Sequence, residues 1–331
     1  MAGAVYDRGY RPYEGERGGR REARAALFRA SVRRALGWRR PWRQKVVPFL
    51  LLAIVTVPAI VNVGVAYLTR DTPASGIRFI TYRDYVGISN ALLLFVALTA
   101  PDIMCPDRRQ RVLPLLFARP LTGVDYVLAK VGAMTAILFG FSFLPQVVLF
   151  VGQMLVNKDG ALDYAGENAE VIWQVPIAVG LLSLYYAVIG VAISSLTSRR
   201  IIAGASIVAL FLVTSVVSVL LIDSGTTQVD HSSPPATILD ANGEPVVVIG
   251  PGGENDDPFG IIEPRDPTAA QLLNLAALPL VLRDLVFLGE VPQAEPMSGI
   301  DHGGLYAIVV YTLVVGGAFA TLFIRYDEVE R

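Results

Sequence analysis

The sequence has few of the residues from which catalytic and metal sites are usually built. Its 331 residues include two histidines and one cysteine. The single cysteine, Cys105, excludes a disulfide within the chain and a thiolate metal cluster. His231 and His302 are far apart in sequence, and we interpret both as surface residues. Because phosphate-binding loops, nucleophile elbows and zinc-type His–Glu pairs are also missing, we predict a chain without enzymatic activity, metal or cofactor of its own.

Charged residues are scarce as well, at 17%, whereas hydrophobic residues make up 53% of the chain. A soluble domain carries about a quarter charged residues. The apolar residues form long runs, and about 20 such residues in a helix cross the roughly 30 Å hydrocarbon core of a bilayer. The composition therefore predicts an all-α polytopic membrane protein embedded in the lipid bilayer, with no nucleic-acid partner.

Six segments are apolar over the length that a membrane crossing needs. We predict that they are helices, because lipid offers no hydrogen-bond partner to an open strand edge. The predicted spans are residues 46–68, 85–100 (extendable to 104), a stretch within 127–156, 171–196, 201–222 and 305–324. Pro145 and Pro176 are expected to bend their helices.

The basic residues predict the orientation of these spans. If the N-terminus is cytoplasmic, the cytoplasmic parts hold 22 of the 28 Lys and Arg residues but 10 of the 29 Asp and Glu residues. Cytoplasmic loops of membrane proteins carry this excess of positive charge. We therefore predict that both termini are cytoplasmic, with residues 325–331 forming a short cytoplasmic tail.

The N-terminal region before the first span has two parts. Residues 1–19 are rich in glycine, tyrosine and charge and are predicted to be disordered. Residues 20–45 are predicted to form an amphipathic helix that lies in the membrane interface. Its apolar and aromatic positions are Phe28, Val32, Leu36, Trp38 and Trp42. The alternative is a basic anchor that orients the first span and has no other role.

A large segment, residues 223–304, precedes the last span and is predicted to be external. Its first part is rich in proline, glycine and acidic residues, which predicts a long loop with a short strand at residues 246–249. Residues 268–288 are apolar, but Pro279 and the adjacent Arg283 and Asp284 interrupt them. We therefore expect a helix on the membrane surface rather than a seventh span.

Polar residues within the predicted spans are few and uncharged. No Asp, Glu, Lys or Arg lies well within a span, which disfavours an ion-coupled carrier. The larger polar side chains are Asn62, Asn90, Gln146 and Gln153. They either form hydrogen bonds between helices or line a transport pathway. Glycines on the third and sixth spans would allow close helix packing within one chain or between two.

Residues 101–126, between the second and third spans, combine basic and apolar side chains. Arginines surround the apolar run Leu113–Phe117 in what is predicted to be a short cytoplasmic segment. Exposed apolar side chains are costly in water unless they contact a membrane or a protein. We therefore predict a segment that docks on a cytosolic partner, or a basic loop on anionic lipid.

This segment resembles the one that follows the second span in permease subunits of ABC-2 type transporters. That family has an acidic–basic pair followed by a Leu-Leu and Pro-Leu pattern that ends in Lys. The matching residues here are Asp107, Arg108, Leu115, Leu116, Pro120, Leu121, Leu128 and Lys130. Arg109 stands where a second acid is usual, and Arg111 and Val112 replace Gly-Thr. The order of an interfacial helix, six spans and an external segment before the last span is also similar.

The resemblance implies the membrane subunit of an exporter in the cytoplasmic (inner) membrane. Two permease subunits, identical or related, would pair with two cytosolic ABC ATPase subunits, which hold the ATP and Mg²⁺. The segment implied to receive the ATPase is Asp107, Arg108, Arg109, Arg111, Leu115, Leu116, Arg119 and Pro120. The alternatives are a membrane scaffold that holds a different partner through this segment, and a membrane enzyme or carrier.

Overall fold

The computed structural model describes most of the chain. The described residues are 19–37, 42–72, 80–86, 89–117, 121–158, 160–224, 237–239, 245–247, 273–290 and 303–330. Several sequence predictions concern residues outside this set. They include the tail before residue 19, part of the predicted strand and the start of the helix at 268, and the side chains of Trp38, Arg119, Pro120, His231 and His302.

The described residues are helical apart from one short ribbon. The helices are α1 (Arg20–Ala35), α2 (Trp42–Thr69), α3 (Tyr82–Val86), α4 (Ser89–Arg109), α5 (Leu113–Phe117), α6 (Gly123–Val156), α7 (Ala161–Glu167), α8 (Ala169–Leu196), α9 (Arg200–Ser224), α10 (Leu278–Leu288) and α11 (Gly303–Glu330). Strands β1 (Thr237–Leu239) and β2 (Pro245–Val247) pair antiparallel, with Ile238 opposite Val246.

Six helical segments are long and apolar enough to cross a membrane, judged by length and composition. They lie in α2, α3 with α4, α6, α8, α9 and α11, which agrees with the prediction of an all-α protein with six helices able to span a membrane. Within their most apolar stretches, 73% and 72% of the residues of the α4 and α8 segments are buried, against 17% for α2 and α9. Helices α4 and α8 therefore form the centre of the bundle.

Helix α4 continues nine residues past the predicted end of the second span at Ala100 and reaches Arg109. It does so although Pro101 and Pro106 lie inside it and each lacks a backbone N–H donor. Its two aspartates in this region are paired with basic side chains from other helices, which offsets the cost of burying charge. The first part of the predicted cytoplasmic segment is therefore the buried end of a long helix.

Helix α6 is the longest helix in the described structure, with 34 residues. At 1.5 Å per residue it is about 51 Å long, which exceeds the hydrocarbon core of a bilayer. It begins with a capping box, in which the Thr122 side chain and the Asp125 carboxylate each accept a hydrogen bond from the other residue's backbone N–H. A helix of this length can extend beyond the hydrocarbon core of a bilayer.

The bundle has two ends, which we name from the short helices that lie there. The α1 end holds α1, the last turns of α4 and the first turns of α6. The end of α11 lies there too, with the ring of Tyr326 4.9 Å from that of Tyr126. The α10 end holds α3, α7 and α10, which packs against α8, α11 and α3.

Helix α10 falls within the range predicted for a membrane-surface helix. Its 11 residues span about 16 Å, too short to cross a bilayer. Pro279 lies in the first turn, where a missing N–H costs little, so it begins the helix rather than interrupting it. Leu278, Val281 and Asp284 are at most 1% exposed, so this face packs against protein rather than lying on lipid.

Candidate functional site

A buried ionic cluster lies at the α1 end, where α1, α4 and α6 meet. The Lys130 ammonium is 2.5 Å from the Asp107 carboxylate, and these residues are 1% and 2% exposed. The Tyr126 hydroxyl donates a 3.0 Å hydrogen bond to the same carboxylate oxygen. Arg34 from α1 donates to the other oxygen, and Lys130 also donates to the Ile103 carbonyl at 3.0 Å. We call Arg34, Asp107, Tyr126 and Lys130 the α1-end cluster.

The α1-end cluster places one buried carboxylate between two cations, of which Lys130 is buried and Arg34 is partly exposed. Burying an unpaired charge is costly, so each charge in the cluster depends on the others. The carboxylate of Asp107 joins three helices, because its partners come from α1 and α6 while it belongs to α4. The cluster therefore fixes the relative positions of these helices.

A second set of ion pairs holds the start of α1 against the start of α6. Arg20 lies 2.5 Å from the Asp125 carboxylate, and Arg24 lies 3.7 Å from it. Arg20 also donates to the Thr122 hydroxyl at 3.0 Å. Helix α1 is thus attached near both of its ends to the core of the bundle.

The apolar residues predicted to place α1 in the membrane interface have protein neighbours. Phe28, Val32 and Leu36 are half-buried and pack against the hydrophobic core. The ring of Phe28 lies 3.8 Å from the position that a Cβ would take on Gly132 of α6. Trp42 begins α2, and its side chain is outside the described set.

The end of α4 is also connected to α8 and α9. Arg108 donates a hydrogen bond to the Ser195 carbonyl near the end of α8. The Arg200 guanidinium, at the start of α9, is 2.8 Å from the Asp102 carboxylate. Arg108, which the resemblance implied as a partner contact, is therefore occupied in this chain's own packing.

Three consecutive residues after these contacts are exposed: Arg109, Gln110 and Arg111. Arg111 has a φ of 51°, in the left-handed region that disfavours residues with a Cβ. This conformation turns the chain from α4 into α5. Leu113 and Leu116 of α5 are half-buried against the core, whereas the side chain of Leu115 is outside the described set.

A groove of about 1190 Å³ lies beside this turn, between α4 and α9. It is bordered by Asp102, Arg109, Arg199 and Arg200. Three of these four side chains are exposed arginines. The surface at the α1 end is therefore basic from the α4–α5 turn to the start of α9.

The polar residues predicted within the spans form hydrogen bonds between segments. Asn62 of α2 donates to the Ile80 carbonyl at 2.9 Å, and Gln153 of α6 donates to the Asn62 side chain at 3.3 Å. Gln146 of α6 donates to the Tyr82 carbonyl at 3.2 Å. These contacts agree with the interhelical alternative for the three residues. Asn90 begins α4 with its side chain outside the described set.

The α10 end holds its own buried charges. The Arg83 guanidinium of α3 lies 2.6 Å from the Asp284 carboxylate of α10, and Arg283 lies 2.7 Å from it. A separate group lies on the exposed surface that follows α2 and α6. There the hydrogen bond from Lys158, and to a smaller extent the one from Arg70, lowers the pKa of the Asp71 carboxyl. The pair at residues 283–284, which the sequence indicated as an interruption, thus joins α10 to the bundle.

Sequence reasoning missed the α1-end cluster as a unit. Asp107 and Lys130 were both singled out, but as parts of a docking segment and of a motif. The available signal was one acid after the second predicted span and one base, Lys130, between apolar residues near the start of the third. Arg34 carried no such signal because it is one of many arginines in the N-terminal region.

Among the described residues, no three His, Cys, Asp or Glu side chains are grouped so that they could hold a metal ion. No protein-family profile, curated protein or solved structure matches the chain.

Proposed function

We propose that this chain is the permease subunit of an ATP-driven ABC-2 type transporter that exports its substrate. The ATP and Mg²⁺ are held by separate cytosolic ATPase subunits, and a second permease subunit completes the pathway. The observation that supports the proposal most strongly is the exposed basic turn at residues 109–111. This turn lies at the end of α4, which ion pairs and hydrogen bonds attach to the neighbouring helices. We call residues 109–111 the basic turn.

The attachment of α4 gives the basic turn a mechanical role in this proposal. Asp107, Arg108 and Asp102 connect the end of α4 to α1, α6, α8 and α9. A displacement of the turn by an ATPase is therefore passed to several spans at once. Asp107 is buried, so within the predicted docking segment we assign it to this internal connection and assign the ATPase contact to Arg109 and Arg111.

The basic surface lies at the α1 end, and the cytoplasmic parts of membrane proteins carry an excess of Lys and Arg. The proposal therefore places the α1 end in the cytoplasm. Cysteine labelling tests this orientation with little background, since Cys105 is 3% exposed. With a membrane-impermeant maleimide on intact cells, K158C at the α10 end is expected to react and R109C only after permeabilisation. The reverse pattern would contradict the orientation.

Charge reversal at the basic turn tests the ATPase contact. In the R109E/R111E variant, recovery of the P-loop ATPase with the permease is expected to fall about tenfold or more, because like charges at an interface are repulsive. The measurement is quantitative mass spectrometry of the complex purified in mild detergent with nucleotide. An unchanged size-exclusion profile of the variant would show that the spans remain folded.

The matched control is K158E, an exposed basic residue at the α10 end, which is expected to leave ATPase recovery unchanged. Equal recovery from R109E/R111E and wild type would remove the basic turn from the contact. Failure to recover any P-loop ATPase with the wild-type chain would favour the scaffold alternative.

A further inference from the structure

An apolar groove lies between α1, α2 and α6, separate from the basic turn. Its volume is about 330 Å³. Its lining includes Phe28, Val32 and Leu36 of α1, Phe49 and Leu52 of α2, and Gly140 of α6. Phe49 is 55% exposed, so the groove opens to the surroundings of the bundle. We call it the α1–α6 groove.

The α1–α6 groove lies beside the apolar part of a membrane-crossing helix. Gly140 follows Lys130 by ten residues, which is about 15 Å along α6. A Cβ built on Gly140 meets no atom within 4 Å, so the groove has open space at this point. An open apolar groove at this depth is in contact with the hydrocarbon chains of one leaflet.

Two exposed arginines lie on the side of α1 next to the residues that line the groove, and neither has a carboxylate partner within the described residues. Arg29 and Arg33 follow Phe28 and Val32 directly on α1. Neither forms an ion pair within the described part of the chain, and Arg29 donates only to the Ala25 carbonyl there.

Three other arginines of α1 do contact carboxylates. Arg20 and Arg24 lie beside Asp125, and Arg34 contacts Asp107. Of the three arginines of α1 that form no ion pair within the described residues, Arg21 lies in the first turn, whereas Arg29 and Arg33 follow residues that line the groove. Arginine binds phosphate oxygens through paired hydrogen bonds, and basic residues at a membrane surface attract anionic lipids.

We infer that the α1–α6 groove binds one acyl chain of an anionic phospholipid, whose phosphate contacts Arg29 and Arg33. The apolar lining accounts for binding of the acyl chain. The two arginines, which have no carboxylate partner among the described residues, account for the preference for negative charge. The site requires only that the bundle lies in a membrane, so it does not depend on the transporter proposal.

The experiment compares lipid retention by the full-length protein in nanodiscs that contain equal amounts of phosphatidylglycerol and phosphatidylcholine. After extraction, retained lipids are counted by native mass spectrometry. The wild type is expected to retain phosphatidylglycerol about tenfold over phosphatidylcholine, because each arginine at an anionic headgroup strengthens binding severalfold.

Three variants separate the parts of the site. R29Q/R33Q is expected to lose the preference for phosphatidylglycerol while retaining some lipid. G140L fills the open space of the groove and is expected to abolish retention of the bound lipid. G317L is the matched control, since this glycine is exposed on α11 and its Cβ also meets nothing within 4 Å.

The inference is overturned if the wild type retains both lipids equally, or if phosphatidylglycerol retention is unchanged in R29Q/R33Q or in G140L. It is also overturned if G317L lowers retention as much as G140L, because the bound lipid would then lie elsewhere. Size-exclusion profiles of all variants show whether a loss of lipid reflects a loss of fold.

Discussion

The Asp107→Ala variant is expected to unfold far more easily than the wild type. Removing this carboxylate leaves the ammonium of Lys130, which is 1% exposed, without its anionic partner. Breaking a buried ion pair in this way costs about 3–5 kcal/mol. Thermal denaturation of the detergent-solubilised protein measures this loss as a lower melting temperature. Because Arg34 also loses its carboxylate partner, α1 is expected to detach from α4 at the same time.

A double variant distinguishes the loss of the pair from the loss of packing. Asp107→Leu combined with Lys130→Met removes both charges and keeps side chains of similar size, and such replacements are often close to neutral. We therefore expect D107L/K130M to melt much nearer to wild type than D107A. Asp71→Ala, which removes a 71% exposed side chain, serves as the control and is expected to leave the melting temperature unchanged. Wild-type stability of D107A would refute a structural role for the cluster.

The Gly204→Val variant is expected to separate α9 from α4. A Cβ at Gly204 would lie 2.7 Å from the backbone carbonyl oxygen of Ala97, closer than a carbon and an oxygen approach each other. Because the obstructing atom belongs to the backbone, a side-chain rotation cannot relieve the contact. Overpacking of this kind costs about 1–3 kcal/mol, and a branched side chain is expected to reach the upper part of this range.

The measurement is again thermal denaturation, with Gly180→Val as the matched substitution. Gly180 lies within α8, and its Cβ would meet no atom within 4 Å. Both variants change the helix propensity equally, so the difference between their melting temperatures reports the contact with Ala97. Equal melting temperatures would mean that α4 and α9 do not pack at this distance in the membrane.

The six crossings were predictable because the apolar runs are long and each corresponds to one helix. The ends of the helices were less accessible to sequence reasoning. Prolines and aspartates after Ala100 indicated the end of a span, but Asp102 and Asp107 find basic partners from distant parts of the chain. These pairings bring together residues 23 and 98 positions apart, and no local pattern encodes them.

The contacts of the glycines were likewise not encoded in a local sequence pattern. From the sequence, Gly140 and Gly316 were expected to allow close packing within one chain or between two, and within this chain a Cβ at either position meets no atom within 4 Å. The close approaches among the described glycines include Gly152, which faces Val63, Gly190, whose Cβ would lie 2.5 Å from Val96, and Gly204. Helical spacing identifies the small residues of a span, whereas the neighbour that each one faces depends on how the helices are arranged. The same arrangement created the α1–α6 groove at Gly140.

The length of α6 has a consequence for motion at its first turns. A straight helix of 34 residues has a half-length of about 25 Å, so a tilt of roughly 10° about its midpoint moves its first residue by about 4 Å. Helix α1 is attached to this part of α6 through Asp125 and would move sideways with it. A small rotation of the 34-residue helix about its midpoint therefore becomes a sideways displacement of its first residues and of α1.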